Sequence, residues 1–152
     1  MTRALNAKVG LEGAHDHMPY RVLVIEDDPT SLDLIVYLLT SFGHIALTAS
    51  DGDEGLRAAA AEIPDVILCD IMLPTLDGFG VLKCIRENKA LDHVPVIAVT
   101  ALAMVGDRER VLAAGFDGYI SKPLDPERFV TEVEKLGTPR ASSNAAAPRP
   151  RG

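Results

Sequence analysis

A chain of 152 residues with 47% hydrophobic composition has room for one sizeable core and little room for a second. A formal net charge of −7 and a pI near 5.0 exclude general affinity for nucleic acid or anionic membrane, both of which need a basic surface. No apolar stretch approaches the ~18 residues of a membrane-spanning helix, and the opening "MTRALNAKVGLEGAHDHMPY" lacks the apolar core of a signal peptide.

Residues 1–19 hold no sustained periodicity and are expected to form a flexible extension, with Met18 a second candidate start. His15 and His17 flank Asp16, but two histidines on a tail lack the preorganised ligand set of a metal site and read as solvated. The first strand is expected at "RVLVI", 21–25, followed by Glu26, Asp27 and then Asp28-Pro29, an N-cap with proline at the first helical position. Leu32, Ile35, Val36 and Leu39 form one face of the helix that follows, and Gly43 suits its end. A second strand is expected at "IALTA", 45–49, and a second helical stretch after it.

The third strand, "DVILC" 65–69, is a continuous apolar run of the kind buried on both faces of a sheet, and it ends on the single charge of Asp70. Taken alone, such an aspartate reads as a turn cap. Cys69 in this run and Cys84 in the next helical pattern show no framework spacing and are expected to be reduced core residues, which fits the cytoplasm. The fourth strand, "PVIAV" 95–99, leads into Thr100-Ala101, then into "AMVGDRER" and a helix closed by Gly115. Asp107, Arg108, Glu109 and Arg110 read as a solvated helix face or as a partner-recognition patch. A fifth strand, "GYIS" 118–121, precedes Lys122-Pro123, and Asp125-Pro126 opens a last helix with Phe129, Val130, Val133 and Leu136 on one face. From Gly137 onward "GTPRASSNAAAPRPRG" has the composition of a disordered tail over 137–152.

Five strands alternating with five helices predict a doubly wound α/β fold, a five-stranded parallel sheet covered on both faces in the flavodoxin-like manner. Functional groups in such sheets collect outside the carboxyl ends of the strands. That edge carries Glu26, Asp27 and Asp70, the hydroxyl of Thr100 and the ammonium of Lys122. Carboxylates brought close there repel by about 4 kcal/mol per pair at an effective dielectric near 20, which stability alone would not favour. A hard cation such as Mg²⁺ relieves the repulsion, and Asp70 becomes a candidate nucleophile for an aspartyl phosphate, with Lys122 and Thr100 facing the phosphoryl oxygens.

The blocks "VLVIEDD", "VILCDIMLPTLDG", "VIAVTALA" and "YISKPL" resemble the successive signature blocks of the response-regulator receiver domain, a CheY-like family, over residues 20–136. The resemblance implies that Asp70 accepts phosphate from a histidine kinase or histidine phosphotransfer protein. It also implies that Glu26, Asp27, Asp70 and the backbone carbonyl of Met72 hold Mg²⁺, Glu26 through water. Thr100 and Tyr119 would be the switch pair, with Lys122 sensing the phosphate and Pro123 following a cis peptide. The stretch from Val94 to Pro123 more narrowly resembles DivK-like single-domain regulators and the receiver domains of hybrid kinases. The implied role is a cytoplasmic, monomeric or weakly dimeric signalling domain. Its only chemistry would be self-phosphorylation from small donors and autodephosphorylation, and it would dock a downstream protein through the fourth helix, fifth strand and fifth helix. The alternatives are a phosphorylation-independent adaptor and a fragment of a larger hybrid kinase.

Two other readings fail on particular residues. A phosphatase of the haloacid dehalogenase type needs a second aspartate where Met72 stands, and nucleotide binding needs a glycine-rich loop where Glu26-Asp27-Asp28-Pro29 stands.

Overall fold

The computed structural model describes residues 19–102 and 104–137. The expected N-terminal extension, with His15, Asp16, His17 and Met18, and the expected C-terminal tail lie outside these residues except for Pro19 and Gly137. Strands and helices alternate as β1 (Arg21–Ile25), α1 (Pro29–Ser41), β2 (Ile45–Ala49), α2 (Gly52–Glu62), β3 (Val66–Cys69), α3 (Gly78–Glu87), β4 (Val96–Thr100), α4 (Asp107–Ala113), β5 (Gly118–Ser121) and α5 (Pro126–Leu136). All pairings are parallel and the sheet order is β2-β1-β3-β4-β5. This is the expected flavodoxin-like (βα)5 architecture.

Two strands differ from expectation by one residue, β3 at its start and β4 at both ends. Pro95 has no N–H to give the ladder, so β4 starts at Val96 and runs on to Thr100, which pairs with Ser121. Asp65 instead ties the start of β3 to β1, its carboxylate accepting from the Arg21 N–H at 2.8 Å.

Successive side chains of a strand point to opposite faces, and the core divides accordingly. Leu23, Ile25, Ile67, Cys69, Val96 and Ala98 pack on one face against Ala59 of α2, Val81, Leu82 and Ile85 of α3 and Val111 of α4. Val22, Val24, Val66, Leu68, Ile97 and Val99 pack on the other against Ile35, Leu38 and Leu39 of α1 and Phe129, Val130 and Val133 of α5.

The caps follow the sequence. Asp28 accepts from the Ser31 N–H and Asp125 from the Glu127 N–H, and Asp51 and Asp77 cap α2 and α3 in the same way. Gly43 and Gly115 follow their helices at φ of 88° and 115°, where a Cβ is strained. Gly137 differs: its φ is −92°, so its backbone does not require glycine, but a Cβ would be tight, at 3.1 Å from the Val66 Cβ.

Two expectations are corrected. Cys84 is exposed rather than core, because α3 turns Val81, Leu82 and Ile85 to the sheet and Cys84 lies about 100° around the helix from Ile85. Asp107 is buried rather than solvated, since its carboxylate folds back to accept from the Met104 N–H at 2.8 Å and stops the loop ahead of α4. A polar tie absent from the sequence reading joins β1 to α5: the buried His44 accepts the Tyr20 N–H at Nδ1 (3.0 Å), which leaves the proton on Nε2 facing Glu134 Oε2 at 2.7 Å.

Phe129 is the largest fully buried side chain and the main contribution of α5 to its face of the sheet. Phe129→Ala is expected to lower the unfolding free energy by about 3–5 kcal/mol, with the denaturant dependence retained, in urea titrations followed by circular dichroism.

Candidate functional site

Sheet order reverses direction at β1: the chain leaves it for β2 on one side, and β3 pairs on the other. The register sets Ile25 opposite Cys69, so the residues just after both strands emerge side by side at the carboxyl edge. Those residues are Glu26 and Asp70, and the Asp70 N–H donates to the Ile25 carbonyl at 3.1 Å. Glu26, Asp27 and Asp70 each bring a carboxylate oxygen within 4.8 Å of the others. The three acids expected from sequence are therefore together.

Thr100 and Lys122 join them from the next two strands. The Lys122 N–H donates to the Thr100 carbonyl at 3.0 Å, which anchors the residue after β5 to the end of β4, and the Lys122-Pro123 peptide is cis. From there the Lys122 ammonium reaches back to Glu26 Oε1 at 2.8 Å and to Asp70 Oδ2 at 3.0 Å. The Thr100 hydroxyl is fully buried and has no hydrogen-bond partner among the described residues. Buried hydroxyls are ordinarily satisfied, so this one, at the carboxyl end of β4, has hydrogen-bonding capacity to spare.

The remaining Asp70 oxygen, Oδ1, accepts from the Met72 N–H at 3.0 Å, which curls the loop after β3 around the carboxylate. The curl needs Gly78: a Cβ there would stand 2.6 Å from both the Asp70 carbonyl oxygen and the Ile71 Cα. Both obstacles are backbone, so neither can swing away. The Gly78 N–H instead donates to the Ile71 carbonyl at 2.9 Å and closes the loop onto the start of α3.

Burial pushes the Glu26 carboxyl up from its ordinary value, against the hydrogen bonds from Lys122 and from the Asp28 N–H, which pull it down. Burial draws Lys122 the other way, but its hydrogen bonds to Glu26 and Asp70 outweigh that and hold the ammonium above its ordinary range. Cys69, directly before Asp70, is kept a thiol far above the usual range by burial and by the Asp70 and Glu26 charges. It is a packing residue.

Outside the acids lies an open cleft of about 590 Å³, lined among others by Asp27, Met72, Phe79, Leu102 and Arg110. Met72 is 58% exposed at its mouth. Phe79 was not singled out from the sequence, and Arg110 only as one charge of the α4 face; the Arg110 guanidinium lies 5.2 Å from the Phe79 ring centroid, and nothing in local spacing signals that pairing. Tyr119 is half-buried and its hydroxyl donates to the Leu102 carbonyl at 2.8 Å, just beyond Thr100, with Arg108 over its ring at 5.6 Å.

With this geometry in place, the comparisons are specific. The family model described as the response regulator receiver domain matches residues 22–134. The polar-differentiation response regulator DivK of Brucella anthropi is 39% identical over 117 residues, 77% of this chain and 95% of the relative. Its counterpart in Brucella ovis is 38% identical over the same span. Among solved structures, the receiver domain of a sensor histidine kinase from Pseudomonas aeruginosa, with magnesium in its active-site cleft, is 34% identical at a TM-score of 0.72 and covers 80% of this chain and all of its own. A response regulator of Chloroflexus aurantiacus reaches a TM-score of 0.74 at 27% identity, covering 79% and 98%.

Lys122 is the counter-charge that lets buried carboxylates coexist. Lys122→Met is expected to cost about 3 kcal/mol of stability without added divalent cation, and less when Asp70→Asn is already present. Urea unfolding of the two single variants and the double variant measures this.

Proposed function

Because the chain belongs to the response regulator receiver domain family, a signalling family of two-component phosphorelays rather than classical enzymes, we propose that Asp70 is its phosphoacceptor. One observation carries the reading: three carboxylates, one ammonium and one buried, unpartnered hydroxyl converge at a single sheet edge. An Asp70 carboxylate oxygen attacks the phosphorus of a phosphohistidine on a histidine kinase or phosphotransfer protein. The P–N bond breaks, an acyl phosphate forms, and the imidazole leaves with a proton. Small donors such as acetyl phosphate serve the same attack.

The acid set fits a hard cation, since its oxygens lie within 4.8 Å of one another and Asp27 opens onto the cleft. Glu26, Asp27, Asp70 and the Met72 backbone carbonyl would hold Mg²⁺, which when bound supplies positive charge against the phosphoryl oxygens. Lys122 places a second positive charge there, and the Thr100 hydroxyl donates to a phosphoryl oxygen. Thr100 and Tyr119 form the switch: drawing Thr100 toward the phosphate shifts the segment whose Leu102 carbonyl holds the Tyr119 hydroxyl. Tyr119 belongs to the α4-β5-α5 face, where Arg108, Tyr119, Ser121, Pro123, Arg128 and Glu132 help line a shallow cleft of about 280 Å³. A downstream protein docks on that face. No helix among the described residues is long and apolar enough to cross a membrane. Cys69 and Cys84 are both free, which supports a cytoplasmic setting, and the proposed working form is a monomer or weak dimer. The intact acid set favours this reading over a phosphorylation-independent adaptor.

Incubation with acetyl phosphate and Mg²⁺ is expected to add one base-labile phosphoryl group per chain, visible by intact mass. Chelation of the cation or Asp70→Asn abolishes it; stoichiometric label on Asp70→Asn removes Asp70 from the role.

Moving the switch from mostly inactive to mostly active takes about 5.5 kcal/mol of differential stabilisation, which charge-assisted contacts from Lys122 and Thr100 to a dianion can supply. Thr100→Ala is therefore expected to accept phosphate yet show a much smaller beryllofluoride-induced change in NMR shifts around Tyr119 and α4. A full wild-type shift pattern in that variant would show that Thr100 is not the link.

A further inference from the structure

The sheet ends on two edge strands, β2 and β5. β5 is four residues long and runs into Lys122-Pro123. β2, "IALTA", pairs with β1 at all five positions without a bulge, and it holds no charge and no proline. Proteins ordinarily blunt an edge with one of these devices, because the outward N–H and C=O groups of an edge strand invite another strand. The Ile45 N–H donates to the Tyr20 carbonyl and the Ala49 carbonyl accepts the Glu26 N–H, so the backbone groups of Ile45, Leu47 and Ala49 face β1. Those of Ala46 and Thr48, alternating with them, face the open side.

The surroundings of this edge are apolar. α1 covers the sheet face to which Ala46 points, and Asp33 is the only charged residue of that helix. Leu34 and Tyr37 of α1, Phe42 at its cap and Ile45 at the start of β2 are exposed, and they make up half of the eight large apolar side chains exposed among the described residues. A concentration of that kind within positions 34–45 marks an association surface.

We propose that the β2 edge is the docking site for a second copy of this chain, joined antiparallel about a twofold axis at Leu47. That register sets Ala46 opposite Thr48 of the second copy, and Thr48 opposite its Ala46. Each opposed pair exchanges both N–H···O bonds, so every outward backbone group of the two residues is satisfied. A shift by one residue would instead oppose outward groups to groups already bonded to β1. Charge selects the occupant: the chain has a net charge of −7, so two copies repel except where they meet on an uncharged surface, and β2 with α1 supplies one. Antiparallel pairing also keeps the Asp51 of each copy, just after β2, at opposite ends of the joint. β2 is the edge remote from β5, so the assembly leaves both α4-β5-α5 faces open and offers a target two docking faces at once. The inference does not depend on the phosphoacceptor reading.

Sedimentation of the full chain from micromolar to millimolar concentration is expected to pass from the 16.3 kDa chain mass toward twice that mass. Over the same range, amide hydrogen exchange at Ala46 and Thr48 in wild type is expected to slow by about tenfold, while Ile45 and Leu47, already bonded to β1, are little changed. Thr48→Pro removes an outward N–H and leaves the β1 ladder its bonds, and it is expected to weaken association by about tenfold or more. The exchange measurement decides the matter even where that variant fails to fold. A chain that stays monomeric throughout, exchange at Ala46 and Thr48 that ignores concentration, or association unchanged in folded Thr48→Pro overturns the proposal. A dimer protected at α4 and β5 instead, or one that forms only with beryllofluoride, overturns it too. Protection of Ala46 and Thr48 that appears only on adding a histidine phosphotransfer protein assigns the edge to that partner and excludes a second copy.

Discussion

The structure turns on a concentration of like charge at the carboxyl edge of its sheet. Glu26 and Asp70 are both nearly buried and share one ammonium, and Asp27 brings a third carboxylate within reach of them. Removing charges from water costs several kcal/mol each unless they are paired, so the Lys122 bridge is the condition on which the edge exists. It is also incomplete compensation: one positive charge stands against three negative ones. The edge is left net negative, and the protein keeps there an affinity for positive charge that no apolar core would provide.

The rest of the fold holds that edge still. The two faces of the sheet are filled by alternating residues of the same strands, so β1 and β3 cannot slide against each other without moving side chains on both sides. Their register puts Glu26 and Asp70 beside one another, and Gly78 allows the backbone after Asp70 to fold against the start of α3. On the far side, Lys122 reaches the acids because its own N–H is tied to the Thr100 carbonyl. A charge from the end of β5 is thereby delivered to the acids that follow β1 and β3, at the same sheet edge where Thr100 ends β4.

The path from this edge to the surface is short and made of few parts. Thr100 closes β4, Leu102 follows two residues on, and the Leu102 carbonyl holds the Tyr119 hydroxyl of β5. Asp107 pins the same segment at its other end by accepting the Met104 N–H. Met104 is tied to Asp107 twice, its carbonyl also accepting the Asp107 N–H at 3.0 Å, while the side chains of Met104 and Val105 are exposed.

The elements themselves were legible in the residues. Apolar runs with turn signals placed all five strands to within a residue, Asp-Pro pairs placed the starts of α1 and α5, and the alternation implied a parallel sheet. The acids, Thr100 and Lys122 were legible too, because topology sends whatever follows each strand to one edge. Their pairing was not. Nothing local says that Lys122 would bridge Glu26 and Asp70, or that His44 would reach Glu134 of α5, since these partners lie at least 50 positions apart in sequence. Cys84 and Asp107 show the same limit from the other side: residue type suggested core for the thiol and solvent for the carboxylate, and helix rotation and a loop hydrogen bond decided otherwise. Sequence determined which groups stand at the edge, because strand order and period are local properties. Tertiary structure decided which of them hold one another, because hydrogen bonds and burial depend on distances that only the packed chain sets.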